Sequence, residues 1–70
     1  MLPKDPVILL SYVNMKLRDE YATLQELCRA EDADPSSLTD RLAAIGYQYD
    51  EEKNQFINLA TKYFLISMVF

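Results

Sequence analysis

Histidine is absent from this 70-residue chain, and cysteine and glycine occur once each. Without His, the commonest general base near neutral pH is missing. Cys28 therefore has no imidazole to activate it. Its place on the inward face of a helical stretch reads as a small structural hydrophobe. A single Cys excludes a disulfide framework within the chain, so packing or self-association must stabilise so small a domain. It also suits a reducing cytoplasm. Gly46 alone cannot build a glycine-rich loop that cradles phosphate. Positive charge is scarce too: seven basic residues face eleven acidic ones, a net charge of −4. The basic residues Lys4, Lys16, Arg18, Arg29, Arg41, Lys53 and Lys62 are scattered, whereas nucleic-acid binding draws most of its affinity from clustered Lys and Arg.

The acidic residues do not make up for these absences. Asp32 and Asp34 stand near a helix start, and Asp50-Glu51-Glu52 sit in a loop. Neither group has the spacing of a calcium loop, with its central Gly and closing Glu, so both read as solvated turn carboxylates. No catalytic constellation, cofactor or metal is expected. Long apolar runs are missing as well. Val7 to Leu10 is too short for the core of a signal peptide. The stretch 56–70 is more apolar, but Asn58, Thr61 and Lys62 interrupt it, and it falls short of the roughly 20 residues that span a bilayer. A cytoplasmic protein without a membrane span is expected.

Half of the residues are hydrophobic, enough for one compact core. Asp5-Pro6 opens a first helix that runs to about Asp19, with Asp as N-cap and Pro at the first helical position. Leu10, Val13, Leu17 and Tyr21 share one face, and Ile8, Tyr12 and Met15 form a second apolar stripe opposite it. Thr23-Leu24-Gln25-Glu26 fits a capping box, with Thr23 and Glu26 satisfying each other's N–H groups. Leu24, Leu27 and Cys28 form the inward face of the second helix. Asp34-Pro35 repeats the start signal for a third helix, lined by Leu38, Leu42 and Ile45, with Gly46 as its C′ residue.

Tyr47-Gln48-Tyr49-Asp50 and Gln55-Phe56-Ile57 flank a polar loop in which Asn54 tolerates a left-handed conformation. Pairing Asp50 with Gln55 places Tyr49 opposite Phe56, with Tyr47 on the same face. Three helices and a hairpin, mainly α, follow the order of a winged helix-turn-helix. Cys28 falls where that motif wants a small buried residue, and Leu38 and Leu42 fall where its recognition helix packs inward. Asp32 stands where the turn usually carries Gly. The expected organisation is a winged-helix-like domain over 1–57 and an apolar C-terminal extension over 58–70. That extension packs either on the domain or on a second subunit.

The opening Met1-Leu2-Pro3-Lys4-Asp5-Pro6 and the run Leu9-Leu10-Ser11-Tyr12-Val13-Asn14-Met15-Lys16-Leu17-Arg18-Asp19 carry a family likeness. So do Leu42-Ala43-Ala44-Ile45-Gly46-Tyr47 and Tyr49-Asp50-Glu51-Glu52-Lys53-Asn54-Gln55-Phe56. Together they resemble a family of short bacterial proteins catalogued as domain of unknown function 4250, over residues 1 to about 57. The resemblance implies no activity.

Two functional readings follow. From Tyr63 to Phe70 every residue except Ser67 is apolar, a density that points to burial against protein. The first reading is a protein–protein interaction module, acting as a homodimer. Its contact residues would be Ile8, Tyr12, Met15, Tyr63, Phe64, Ile66 and Phe70. The alternative is a DNA-binding transcriptional regulator whose helix at 35–45 enters the major groove through Ser36, Ser37, Thr39 and Arg41. Charge disfavours it, because Asp40 lies on that helix and Asp50, Glu51 and Glu52 outnumber Lys53 at the wing tip.

Overall fold

A computed structural model describes residues 2–60. Three helices are followed by an antiparallel hairpin, in the order α1 (Pro6–Asp19), α2 (Leu24–Ala30), α3 (Pro35–Ala43), β1 (Tyr47–Asp50) and β2 (Gln55–Asn58). The class is mainly α. No helix among the described residues is long and apolar enough to cross a membrane.

Each helix starts where a local side chain satisfies its free N–H groups. Asp5 Oδ1 accepts from Val7 N–H at 2.8 Å and Ile8 N–H at 3.2 Å, and Pro6 follows at the first helical position. Asp34 Oδ1 accepts from Ser36 N–H at 3.2 Å, ahead of Pro35. Thr23 Oγ1 accepts from Glu26 N–H at 3.1 Å. The return half of that capping box differs from expectation. Glu26 Oε2 accepts from the N–H of Ala22 at 3.1 Å, one residue before the cap.

The helix ends differ more. α2 closes with Asp32 in the left-handed region, at φ 54°. Ala33 N–H donates to Cys28 C=O at 2.8 Å and Asp32 N–H to Arg29 C=O at 3.4 Å, the paired bonds of a Schellman cap. Asp takes the place usually held by Gly there. α3 stops sooner than expected. Ala44 caps it, and Ile45 and Gly46 donate to Leu42 and Ala43 in tightened three-residue turns. Gly46 is thus displaced one residue beyond C′, and its φ of 85° turns the chain into β1.

Among the described residues the core consists of Leu9, Val13, Leu17, Leu24, Leu27, Cys28, Leu38, Leu42 and Phe56, and no polar or charged residue is buried with them. On α1 the buried row is Leu9-Val13-Leu17, at a strict spacing of four. Leu10 and Tyr21, expected within that row, are half-buried and pack at its rim. Leu9 stands directly above Val13 on the helix surface, whereas Leu10 is rotated about 100° further round. The hairpin register is the expected one: Asp50 pairs with Gln55, and Tyr49 with Phe56. The Tyr49 and Phe56 rings lie 5.5 Å apart in a tilted arrangement. β2 runs one residue further than expected, to Asn58. In the loop, Asp50 Oδ1 accepts from Glu52 and Lys53 N–H, and Asn54 has φ 52°.

Side-chain amides join the hairpin to α1. Asn14 Oδ1 accepts from Phe56 N–H at 2.8 Å, and Asn14 Nδ2 donates to Phe56 C=O at 3.1 Å. Asn54 Nδ2 donates to Leu17 C=O at 3.1 Å and Tyr21 C=O at 2.9 Å, while its Oδ1 accepts from Tyr49 Oη at 2.5 Å. Gln55 Nε2 donates to Asn14 C=O at 3.0 Å. Asn14→Leu removes both bonds to Phe56 while keeping the branching and the number of heavy atoms. It should lower the unfolding free energy by about 2–3 kcal/mol, since two main-chain groups lose their partners. Urea denaturation followed by circular dichroism measures this, and a loss within error of zero would refute the role given to Asn14.

Candidate interaction surface

α1 presents its second apolar stripe on the side away from the core. Ile8 is 59% exposed and Met15 40% exposed. Val7, which sequence periodicity left out, extends this surface and is 64% exposed. Tyr12 belongs to the same side but is half-buried. Its hydroxyl donates to Glu31 Oε1 at 2.5 Å, tying α1 to the end of α2. Lys16 Nζ stands 5.6 Å from the centre of the Tyr12 ring. The hydrogen bond to Glu31, aided by burial, raises the pKa of the Tyr12 phenol above its ordinary value and keeps it neutral. The remaining expected contact residues, Tyr63, Phe64, Ile66 and Phe70, lie outside the described residues, as does the extension beyond Ala60.

The alternative set on α3 is dispersed. Ser36 and Ser37 are exposed. Thr39 is half-buried, with its hydroxyl donating to the carbonyls of Pro35 and Ser36 at 3.0 Å each. Arg41, the one cation of α3, turns its guanidinium onto the main chain ahead of α1. Nη2 donates to Pro3 C=O at 3.0 Å and also to Lys4 C=O. The outward side of α3 carries Asp40, Ala43 and Ala44 beside the two serines. The hairpin loop exposes Glu51 and Glu52 next to Lys53. The sign of charge on both elements is therefore negative or neutral. Sequence spacing gave no sign of the Arg41 contact, because its acceptors are backbone atoms some forty residues away.

Clefts flank the hairpin on both sides. One lies between the start of α2 and Tyr49. The other runs between α3 and β1, lined by Thr39, Asp40, Ala43, Tyr47 and Tyr49 among others. Each is lined by a single carboxylate, Glu51 in the first and Asp40 in the second. Cys28 lines neither of them. It is 2% exposed, and burial, with the nearby Asp34 charge adding to it, pushes the thiol pKa up. Among the described residues no three Cys, Asp or Glu side chains stand together as metal ligands would.

Cys28 should accordingly resist alkylation while the protein is folded. Iodoacetamide at pH 8 is expected to modify it at least about tenfold more slowly in buffer than in denaturing urea, read by intact mass. Equal rates would show a thiolate that is reachable and active.

No curated protein and no solved structure matches the chain. A family model does match, over residues 3–56, a segment that runs from the turn before α1 into β2 and includes Asn14, Arg41, Tyr49 and Phe56. The chain belongs to the family described as Domain of unknown function (DUF4250).

Proposed function

We propose that this protein is a non-catalytic protein–protein interaction module on a winged helix-turn-helix-like scaffold, acting in the cytoplasm as a homodimer. The observation that carries the reading is the exposure of Val7, Ile8 and Met15 on one side of α1, facing away from the core. Large apolar side chains gathered in this way on a small domain mark a contact surface. The apolar sequence beyond Ala60 supplies further contact residues, among them Tyr63, Phe64, Ile66 and Phe70.

Three features support the scaffold reading. α2 and α3 are joined by a short turn whose left-handed position is Asp32, four residues after the buried Cys28. Leu38 and Leu42 anchor the second helix of the pair in the core. The hairpin follows that helix directly. The same geometry favours a second reading, in which α3 reads DNA through Ser36, Ser37, Thr39 and Arg41. Its electrostatics do not support it, since Arg41 is engaged with Pro3 and Lys4 and the hairpin loop is acidic.

Both readings are testable on the intact chain. Ile8→Glu with Met15→Glu places charge on the exposed stripe without touching the core. Sedimentation should show a wild-type mass above that of the monomer and a smaller mass for the variant, at unchanged helicity. Equal masses would refute the contact surface. A labelled mixed-sequence duplex should show no change in anisotropy on titration, even at low salt where phosphate binding is strongest. Salt-sensitive binding there would establish the DNA reading instead.

A further inference from the structure

Phe56 gives both of its main-chain groups to Asn14. Its pairing with Tyr49 is therefore a position of the ladder where neither residue bonds the other. Alternation along the strands fixes the rest. Gln48 with Ile57 and Asp50 with Gln55 exchange the ladder bonds, and in the same phase Leu59 N–H donates to Gly46 C=O at 2.8 Å. The N–H and C=O groups of Tyr47 and Tyr49 point away from β2. None of these four groups has a main-chain or side-chain partner among the described residues. Among the described residues, Asn14 closes the outer edge of β2 at Phe56, whereas the outer edge of β1 is open. It borders the groove against α3, between Tyr47 and Ala43.

Edge strands are ordinarily blunted by Lys, Pro or a bulge. β1, with the sequence Tyr-Gln-Tyr-Asp, has none of these; its protection is limited to its length of four residues and to α3, which packs beside it. We propose that β1 pairs antiparallel with β1 of a second copy about a two-fold axis at Gln48, joining the two hairpins into one four-stranded sheet. The occupant follows from self-complementarity, because Tyr47-Gln48-Tyr49 reads the same in both directions. Tyr47 meets Tyr49 of the second copy on each side of the axis, and all four outward groups of each strand find partners. Gln48, exposed in the single chain, faces its own copy. Asp50 falls opposite Gly46, so no like charges are opposed along the strand. Sheets of more than two strands are also the stable ones. The inference rests on the strand edge alone and adds a second interface to the α1 homodimer, so that the wild type assembles beyond a dimer and the α1 variant retains the edge-paired dimer.

The test uses the full chain in two backgrounds, wild type and Ile8→Glu/Met15→Glu. Gln48→Cys places a thiol at the axis, where facing Cα atoms of a non-bonded pair lie about 4.5 Å apart, within disulfide reach. Under mild oxidation it should form a cross-linked dimer about tenfold faster than Gln25→Cys, an exposed control on α2. Gln48→Lys should weaken self-association about fivefold at low salt, and less as salt rises, because it opposes two like charges. Both effects are expected in both backgrounds. Equal cross-linking of the two cysteine variants, or an association constant indifferent to Gln48→Lys, would overturn the proposal. A dimer lost with the α1 variants but untouched by Gln48→Lys would overturn it while leaving the α1 surface standing.

Discussion

The pair of hydrogen bonds between Asn14 and the main chain of Phe56 is the constraint on which the rest of this fold depends. A hairpin of two four-residue strands is marginal in water and needs a further strand or a helix to hold it. Here one amide on α1 occupies the edge of β2 as a neighbouring strand would, donating once and accepting once. Phe56, the only hairpin residue in the buried core, is thereby held at a fixed depth between the helices. Asn54 and Gln55 complete the joint by capping carbonyls near the end of α1. The whole attachment uses neutral amides, so it carries no cost of burying charge.

What could be read in the residues was what local chemistry decides. Asp5-Pro6 and Asp34-Pro35 mark helix starts because an N-cap acts within three residues of itself. The hairpin register was legible for a similar reason: alternation ties Tyr47, Tyr49 and Phe56 to one face. The structure departs from local expectation where neighbouring solutions differ little in local terms. Leu9 and Leu10 are both apolar, and only the packing of α1 against α2 and α3 selects Leu9. Glu26 can reach the N–H of Thr23 or of Ala22, and the turn before α2 decides. Gly46 served its turn one step later because α3 tightened at its end.

The contacts invisible in the sequence are long-range and polar. Asn14 and Phe56 are 42 residues apart, and Arg41 lies 37 and 38 residues from Lys4 and Pro3. No periodicity reports such pairs. Arg41 shows the cost for functional reasoning. As the single cation on α3 it reads as a phosphate contact, and in the folded chain its guanidinium also holds the main chain of Pro3 and Lys4 ahead of α1. Of the candidate interaction surface, Ile8 and Met15 were legible from helical spacing. The half-buried state of Tyr12 was not, because it follows from a hydrogen bond to Glu31 on a different helix.

The position of Phe56 near the C-terminal end of the matched segment has a consequence for synthesis. The three helices emerge first, with Asn14 facing no partner and the core lacking Phe56. Helices this short are not self-sufficient, and their stability comes from tertiary packing. Until the second strand exists, the nascent chain can hold only a loose helical collapse. The last residues of the hairpin supply the latch that joins it to α1.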